Sequence, residues 1–267
     1  MAFLKNIIRQ IVLGQSAERT APAQPTMSPV IPDGTLVYAV GDIHGRVDCL
    51  ERLIQAIQAD AATAAVDPAR VTIIFLGDYV DRADESRSVI DRCLKLRDEW
   101  PGQVLFLRGN HEEALMDFLR DPLAGRAWLS FGGLSTLMSY GVADIASHSP
   151  DARIVDAREQ FHVNLPDSHR QFYETTIPYH VIGKVSCRHA GIDPTLAPEA
   201  QVPRTRYWGG GSGEPTAEWP HVVVHGHHVV DSPENTGQRI NVDTGAYFSG
   251  KLTAARIENG DVSFVQS

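Results

Sequence analysis

Three short apolar runs that alternate with helical stretches constrain the fold of this chain more than any other feature of its sequence. The runs at 36–40, 71–76 and 104–107 have the length and the β-branched content of buried strands. Helices are expected at 48–59, 86–97 and 112–119. This βαβ alternation predicts a parallel sheet, and in such sheets the chemistry gathers at the carboxyl ends of the strands.

The second half of the chain carries strand-like runs separated by Gly, Asn and Asp turns, at 179–182, 185–188, 222–224, 239–242 and 252–257. Their close spacing predicts a second, more antiparallel sheet. Residues 121–176 are rich in Ser, Gly, His and Asp and contain few strong strands. We therefore expect a helical or irregular cap at 121–176, inserted in a catalytic domain at 35–267.

Residues 1–34 are expected to form a short helix on a flexible linker. Four prolines lie between positions 21 and 32, and before them comes an apolar stripe at helical spacing, Leu4, Ile7, Ile8 and Ile11. An isolated helix this short is barely stable in water, so a frayed tail or docking on the catalytic body is the favoured interpretation. Membrane contact is less favoured, because a segment with so few positive charges binds membranes only marginally.

The composition excludes several classes of function. With 43% hydrophobic and 21% charged residues, the chain of 267 residues can bury one large core. Its net charge of −9 gives no general attraction to nucleic acid, so no nucleic-acid partner is expected. Cys49, Cys93 and Cys187 lie far apart, and no run of about 18 apolar residues occurs, so a cytoplasmic location is expected.

Five polar motifs with metal-ligand side chains follow the predicted strands. The first three are Gly41-Asp42-Ile43-His44-Gly45, Gly77-Asp78-Tyr79-Val80-Asp81-Arg82 and Gly109-Asn110-His111-Glu112. The last two are Cys187-Arg188-His189-Ala190-Gly191 and His225-Gly226-His227-His228. Any one of them is common in turns, but five at strand ends predict a single site. Its oxygen and nitrogen donors suit manganese, iron or zinc.

The five motifs resemble the signature of the metallophosphoesterase superfamily over about residues 36–257. More narrowly, they resemble the phosphoprotein phosphatases of bacteria and of phage lambda. The narrower assignment depends on the motifs at 77–82, 189–191 and 241–246, and on Val229, which stands where the broader superfamily often has a histidine. The resemblance implies an α/β fold with a central β-sandwich flanked by helices.

The resemblance also implies a role for each matching residue. It implies two divalent metal ions, manganese first and iron or zinc as alternatives. The implied ligands are Asp42 and His44 for the first ion, Asp78 between the two, and Asn110, His189 and His227 for the second. His111 would be the general acid, Asp81 the carboxylate that orients it, and Arg82 the phosphate-binding arginine. Tyr247 resembles an aromatic residue that overhangs the site.

The sequence departs from this pattern at two places. Arg82 is followed by Ala83, where relatives usually have Gly-Pro. A second phosphate-binding arginine usually follows a tryptophan by two positions, but Trp208 is followed by two glycines. Arg188, Arg204 and Arg206 are the candidates for supplying that charge.

The implied reaction is metal-dependent hydrolysis of phosphomonoesters, with phosphoserine and phosphothreonine proteins as the favoured substrates and phosphotyrosine as a further one. Symmetrical hydrolysis of dinucleoside tetraphosphates is the alternative, because relatives with the same five motifs perform it. A metal-binding regulatory module without turnover is a weaker alternative, suggested by the missing arginine.

Overall fold

A computed structural model describes residues 27–193, 196, 200–201, 207–209 and 219–267. The predicted N-terminal helix, Arg204 and Arg206 lie outside these residues. The strands are β1 (Leu36–Val40), β2 (Val71–Phe75), β3 (Gln103–Phe106), β4 (Tyr179–Ile182), β5 (Val185–Arg188), β6 (Val222–His225), β7 (Glu234–Asn235), β8 (Arg239–Asn241), β9 (Thr253–Glu258) and β10 (Asp261–Gln266). The helices are α1 (Val47–Thr63), α2 (Ser86–Glu99), α3 (Asn110–Arg120), α4 (Gly133–Ser139), α5 (Asp151–Asn164), α6 (Asp167–Thr175) and α7 (Ala246–Ser249).

The first sheet has the strand order β10-β9-β1-β2-β3. Its β1, β2 and β3 strands are parallel, as the βαβ alternation predicts, while β9 and β10 add an antiparallel edge. The helix α1 connects β1 to β2 and buries one apolar face, formed by Cys49, Leu50, Leu53, Ile54 and Ile57. The predicted β-sandwich flanked by helices is confirmed.

The second sheet has the order β4-β5-β6-β8-β7, and its three central strands are parallel. Only its two edge pairs, β4 with β5 and β7 with β8, are antiparallel. The prediction of a more antiparallel second sheet is therefore wrong, and the run predicted at 252–257 pairs with β1 in the first sheet instead. Strand spacing along the chain does not specify the partner, because the pairings of β5 with β6, of β6 with β8 and of β9 with β1 join strands that are distant in the chain.

The sheets pack face to face, and β1 shows how one strand serves two cores. Its Val37 and Ala39 face the second sheet, where Cys187, Val224 and other apolar side chains complete the layer. Its remaining three side chains, Leu36, Tyr38 and Val40, face the helices. All five are buried, so β1 has the continuous apolar sequence expected of a central strand rather than an alternating one.

Residues 121–176, predicted as a helical or irregular cap, form a 3-10 segment at Ala124–Ser130 followed by α4, α5 and α6. Their buried side chains, such as Trp128, Tyr140 and Phe161, join the same core as the helices that cover the first sheet. The segment therefore extends the helical layer, and its early part reaches the strand ends.

Residues 27–34 lie against both sheets. The Ser28 hydroxyl donates a hydrogen bond to the Gly260 carbonyl, and the Lys184 N–H donates to the Val30 carbonyl. Ile31 is buried in the core between the sheets. Among the residues that the structure describes, no helix combines the length and the apolar character needed to cross a membrane.

Candidate metal centre

The carboxyl ends of strands from both sheets bring the six predicted ligands to one edge of the sandwich. Loops after β1 and β2 carry Asp42, His44 and Asp78, and loops after β5 and β6 carry His189 and His227. Asn110 is the first residue of α3, which follows β3. Five of the six are almost fully buried, and His227 is half-buried. Because the three first strands are parallel, their polar loops necessarily share an edge.

The backbone of these loops is strained. Within the described part of the chain, seven non-glycine residues have a positive φ, and five of them belong to the motifs: His44, Asp78, Asp81, Arg82 and His227. Side chains rarely adopt this conformation, and its cost is tolerated mainly at functional sites. The strain is consistent with loops shaped to aim particular side chains inward.

Backbone carbonyls orient two of the predicted histidine ligands. The His44 Nδ1 lies 2.8 Å from the Val80 carbonyl oxygen, and the His189 Nδ1 lies 3.1 Å from that of Leu76. In each ring the other nitrogen, Nε2, faces the site. Metal-binding histidines are typically held in this way, since a hydrogen bond at the ring nitrogen that does not bind the metal fixes the tautomer. Burial also lowers the pKa of both rings well below its usual value, which keeps them neutral and able to bind a metal.

The Asp78 carboxylate lies between two groups of ligand atoms. One oxygen is 3.4 Å from the His44 Nε2, and the other is 3.4 Å from the His189 Nε2. The first group consists of His44, Asp78 and His111, the second of Asp78, His189 and His227, and within each group all ligand atoms lie within 4.8 Å of one another. One shared carboxylate fits the bridging role that the resemblance implies.

Asn110 completes the second group. Its Oδ1 lies 2.9 Å from the His189 Nε2 and 2.9 Å from the His227 Nδ1. An amide oxygen that faces two imidazole nitrogens at this spacing is a suitable donor set for manganese, iron or zinc. Burial lowers the pKa of His227 to about 4, so this ring is also neutral at neutral pH.

Asp42 lies beside Asp243, a residue to which the sequence analysis gave no role. The Asp42 carboxylate accepts a hydrogen bond from the His227 N–H and shares another with the Asp243 carboxyl group. Burial, and then the charges of Asp243 and Asp78, raise the pKa of Asp42 well above its usual value. Burial likewise raises the pKa of Asp243 to about 6. Crowded buried carboxyl groups of this kind are stabilised by a bound cation, so the residues present fit a divalent metal.

His111 and Asp81 form a buried pair next to this centre. The His111 Nδ1 lies 2.6 Å from the Asp81 Oδ2, and its Nε2 faces Asp78 at 3.9 Å. Burial opposes protonation of His111, but the charge of Asp78 and the hydrogen bond that the ring donates to Asp81 outweigh it and raise the pKa of His111. Asp81 thus holds the His111 ring in one orientation, which suits a general acid. The His111 Nε2 also belongs to the first group of ligand atoms, so its position suits a metal ligand as well.

Arg82 and Tyr247 lie at the exposed rim. The Arg82 guanidinium carbon is 4.5 Å from the centroid of the Tyr247 ring, and that ring is 5.6 Å from the His44 ring. Arg82 is exposed, so its charge is open to a phosphate group in solution. Both residues therefore lie close to the centre, and the roles that the resemblance implies for them stay predictions.

Arg188 points elsewhere. Val185 and Cys187 face the core between the sheets, so the alternation along β5 directs Arg188 to the outer face of the second sheet. There its guanidinium carbon lies 4.4 Å from the Tyr179 ring centroid and 5.6 Å from that of Trp219. Of the three candidates for the second phosphate-binding arginine, Arg188 is thus disfavoured, and the other two lie outside the described residues.

Glu112 was quoted in the third motif but given no role. Its buried carboxylate accepts hydrogen bonds from the backbone N–H groups of Asp78, Tyr79 and Gly109, at 2.9, 2.8 and 2.9 Å. It therefore ties the loop after β2 to the start of α3. Its position within that motif, two residues after the predicted ligand Asn110, was the available signal.

Three further residues near the centre come from the segment at 121–176. Trp128 and Thr136 donate hydrogen bonds to Asp81, and the Phe131 ring lies 5.3 Å from that of His111. Sequence analysis missed all three, because a Trp or Thr in a helical segment usually serves in a core and carries no local sign of a catalytic neighbour.

A cavity of about 520 Å³ is lined in part by Phe131 and Trp208, whose ring centroids are 5.8 Å apart. Small residues such as Ala114 and Gly125 also line it, and its charged lining residues are Asp117, Arg120 and Asp121. Because the Phe131 ring also contacts that of His111, the cavity lies next to His111, between α3 and the 3-10 segment.

The family model for calcineurin-like phosphoesterases matches residues 35–242. The chain therefore belongs to this family of metal-dependent phosphoesterases, and the superfamily assignment made from the five motifs is confirmed.

Curated relatives divide between two activities. A stretch of 102 residues is 36% identical to serine/threonine-protein phosphatase BSL2 of Arabidopsis thaliana, but it covers 38% of this chain and only 10% of the plant protein. The bis(5'-nucleosyl)-tetraphosphatase PrpE [asymmetrical] of Anoxybacillus flavithermus is 26% identical over 81% of this chain and 88% of its own length.

Among solved structures, a putative diadenosine tetraphosphatase superposes with a TM-score of 0.56 at 19% identity, covering 89% of this chain and 96% of the other. A cold-active protein tyrosine phosphatase superposes with a TM-score of 0.53 at 16% identity, covering 90% and 80%. At such identities the likeness shows the shared fold alone.

Proposed function

We propose that the protein is a phosphomonoesterase that removes phosphate from serine and threonine residues of proteins, with phosphotyrosine as a further substrate. The buried His111–Asp81 pair beside the metal ligands carries this proposal. A serine or threonine alkoxide is a strongly basic leaving group, so its departure needs a proton, whereas a nucleotide leaves readily without one. An oriented acid at this place is therefore most useful for alkyl phosphates.

The metal ligands proposed are the six residues Asp42, His44, Asp78, Asn110, His189 and His227. When bound there, two divalent cations would activate the attacking water and neutralise phosphate charge. Arg82 binds the phosphate oxygens from the rim. His111 gives the proton on Nε2 to the leaving oxygen, and Asp81 holds the opposite edge of its ring.

The charge of the cavity next to His111 also supports a peptide substrate. The leaving group departs on the side of His111, and the cavity next to His111 is lined by Asp117 and Asp121. Arg120, which also lines it, is paired with Asp117 at 2.6 Å and with Glu113 at 3.8 Å. Carboxylates in this cavity repel a polyphosphate leaving group but not a neutral or basic peptide.

The test compares a phosphoserine peptide, p-nitrophenyl phosphate and a dinucleoside tetraphosphate with manganese and the purified protein. We expect the highest kcat/KM with the peptide. His111→Asn should slow the peptide reaction by roughly 10²–10⁴-fold and retain two metal ions per chain. His162→Asn, at an exposed histidine, is the matched control and should leave the rate unchanged.

Loss of metal from the His111→Asn variant would make His111 a ligand instead of the acid. Cleavage of the tetraphosphate without turnover of any phosphopeptide would refute the phosphoprotein proposal. A chain that binds metal and turns over none of the three compounds would be a regulatory module.

Hydrolysis of dinucleoside tetraphosphates is the second candidate function. It is favoured by the PrpE relative, which matches 81% of this chain, whereas the match to the plant protein phosphatase covers 38%. The products identify the cleavage position, because symmetrical hydrolysis yields two nucleoside diphosphates and asymmetrical hydrolysis yields a triphosphate and a monophosphate.

A further inference from the structure

Asp81 is held by a segment other than its own motif. Its Oδ2 accepts hydrogen bonds from the His111 ring and from the Trp128 Nε1–H, each at 2.6 Å. Its Oδ1 accepts a hydrogen bond from the Thr136 hydroxyl at 2.5 Å. Both oxygens of the carboxylate that orients His111 are thus bound by side chains of the segment at 121–176.

The Trp128 indole is fixed in its position. It is 1% exposed and packs with its ring centroid 5.1 Å from that of Phe118 and 6.3 Å from that of Phe161. Gly133 passes so close to the indole that any side chain there would overlap it. The direction of the Nε1–H toward Asp81 is therefore set by the core and not by Asp81 alone.

The Thr136 hydroxyl is equally constrained. It accepts a hydrogen bond from the Asp81 backbone N–H at 2.9 Å while it donates to the side chain of the same residue. The Ser86 hydroxyl lies 3.0 Å from it and also accepts from the Asp81 N–H. Thr136 therefore fixes the backbone of Asp81, which has a φ of +74°, together with its carboxylate.

We propose that Trp128 and Thr136 are positioning residues for the general acid, acting through Asp81; this inference rests on the proposed function. As the oxygen of the attacking water bonds to phosphorus, the bond between phosphorus and the ester oxygen breaks. Its electron pair stays on the ester oxygen, which takes the proton from the His111 Nε2. Asp81 accepts the Nδ1–H of the same ring and stabilises its positive charge before the transfer. Trp128 and Thr136 keep the carboxylate in the plane and at the distance that this requires.

This role predicts a dependence on the leaving group that a structural role would not produce. A seryl alkoxide needs the proton from His111, whereas p-nitrophenolate is stable enough to depart without it. Misplacing Asp81 should therefore slow a phosphoserine peptide much more than p-nitrophenyl phosphate, with the metal ions still bound.

The experiment measures kcat for both esters, together with manganese content, in Trp128→Phe, Thr136→Val and Thr136→Ser. We expect Trp128→Phe and Thr136→Val to lose about 10–100-fold on the peptide and less than about 3-fold on p-nitrophenyl phosphate. Thr136→Ser keeps the hydroxyl and should stay within about 3-fold on both. The control is Trp100→Phe, since the Trp100 indole donates to the Val71 carbonyl, far from Asp81 in the fold, and its loss should not alter the ratio.

Equal losses on the two esters in Trp128→Phe and Thr136→Val would overturn this inference alone, since they would show general damage. Loss of manganese from these variants would also overturn it, because the residues would then support the metal ions. If the unaltered protein turned over neither ester, the proposed function and this inference would fall together.

Discussion

Replacing Glu112 with glutamine should weaken both the fold and the metal centre. The carboxylate is fully buried and accepts from two backbone N–H groups through Oε2, those of Asp78 and Gly109, and from that of Tyr79 through Oε1. Glutamine has one oxygen. Its NH₂ group must therefore face at least one backbone N–H that then lacks an acceptor.

The expected loss of stability follows from this count. A buried donor left without a partner costs about 1–3 kcal/mol, and one or two are affected. An opposing effect comes from the charge itself, because burial, together with the charge of Asp78, raises the pKa of Glu112 to about 7. The neutral glutamine avoids the cost of burying a negative charge. We therefore expect the free energy of unfolding to fall by about 2 kcal/mol, or Tm to fall by about 4–8 °C for a chain of this size.

Urea unfolding followed by tryptophan fluorescence measures the stability, and titration with manganese measures the affinity. Because Glu112 holds the Asp78 loop in place, the affinity should fall about 10–100-fold. Glu113→Gln is the matched control, since Glu113 forms a partly exposed ion pair with Arg108 at 3.0 Å and should cost less than about 1 kcal/mol. Unchanged stability and affinity in Glu112→Gln would refute the reasoning.

Three further predictions follow from the site. Asp78→Asn should reduce bound manganese below two ions per chain and abolish turnover, because the carboxylate faces both ligand groups, whereas the exposed control Asp98→Asn should retain both; metal analysis decides. Arg82→Ala should raise KM for phosphomonoesters with little change in metal content, and an unaltered KM would exclude a role in phosphate binding. Burial lowers the pKa of His225 to about 4, so in the metal-free protein the neutral ring contributes stability above pH 6.5 that is lost as the pH falls toward 4. In urea unfolding, His225→Gln should reduce by about 3 kcal/mol the stability that the protein loses between pH 6.5 and pH 4. An identical pH dependence in the two proteins would contradict the lowered pKa of His225.

The parallel part of the first sheet could be read from the sequence. The runs that became β1, β2 and β3 are mostly apolar, and each is followed within a few residues by a glycine and then a ligand-type side chain. These signals are local, because strand length, turn chemistry and the shared edge of parallel strands follow from neighbours in the chain. The convergence of Asp42, Asp78 and Asn110 was predictable for the same reason.

Only the tertiary structure decided which sheet β9 joins, which way Arg188 points and what holds Asp81. β9 pairs with β1 from more than 200 residues away, and Trp128 reaches Asp81 across 47 residues. Such contacts leave no periodic or compositional mark, because a strand carries the same apolar pattern whichever partner it pairs with, and an indole buried in a core carries the same sequence context whether or not its N–H meets a catalytic carboxylate.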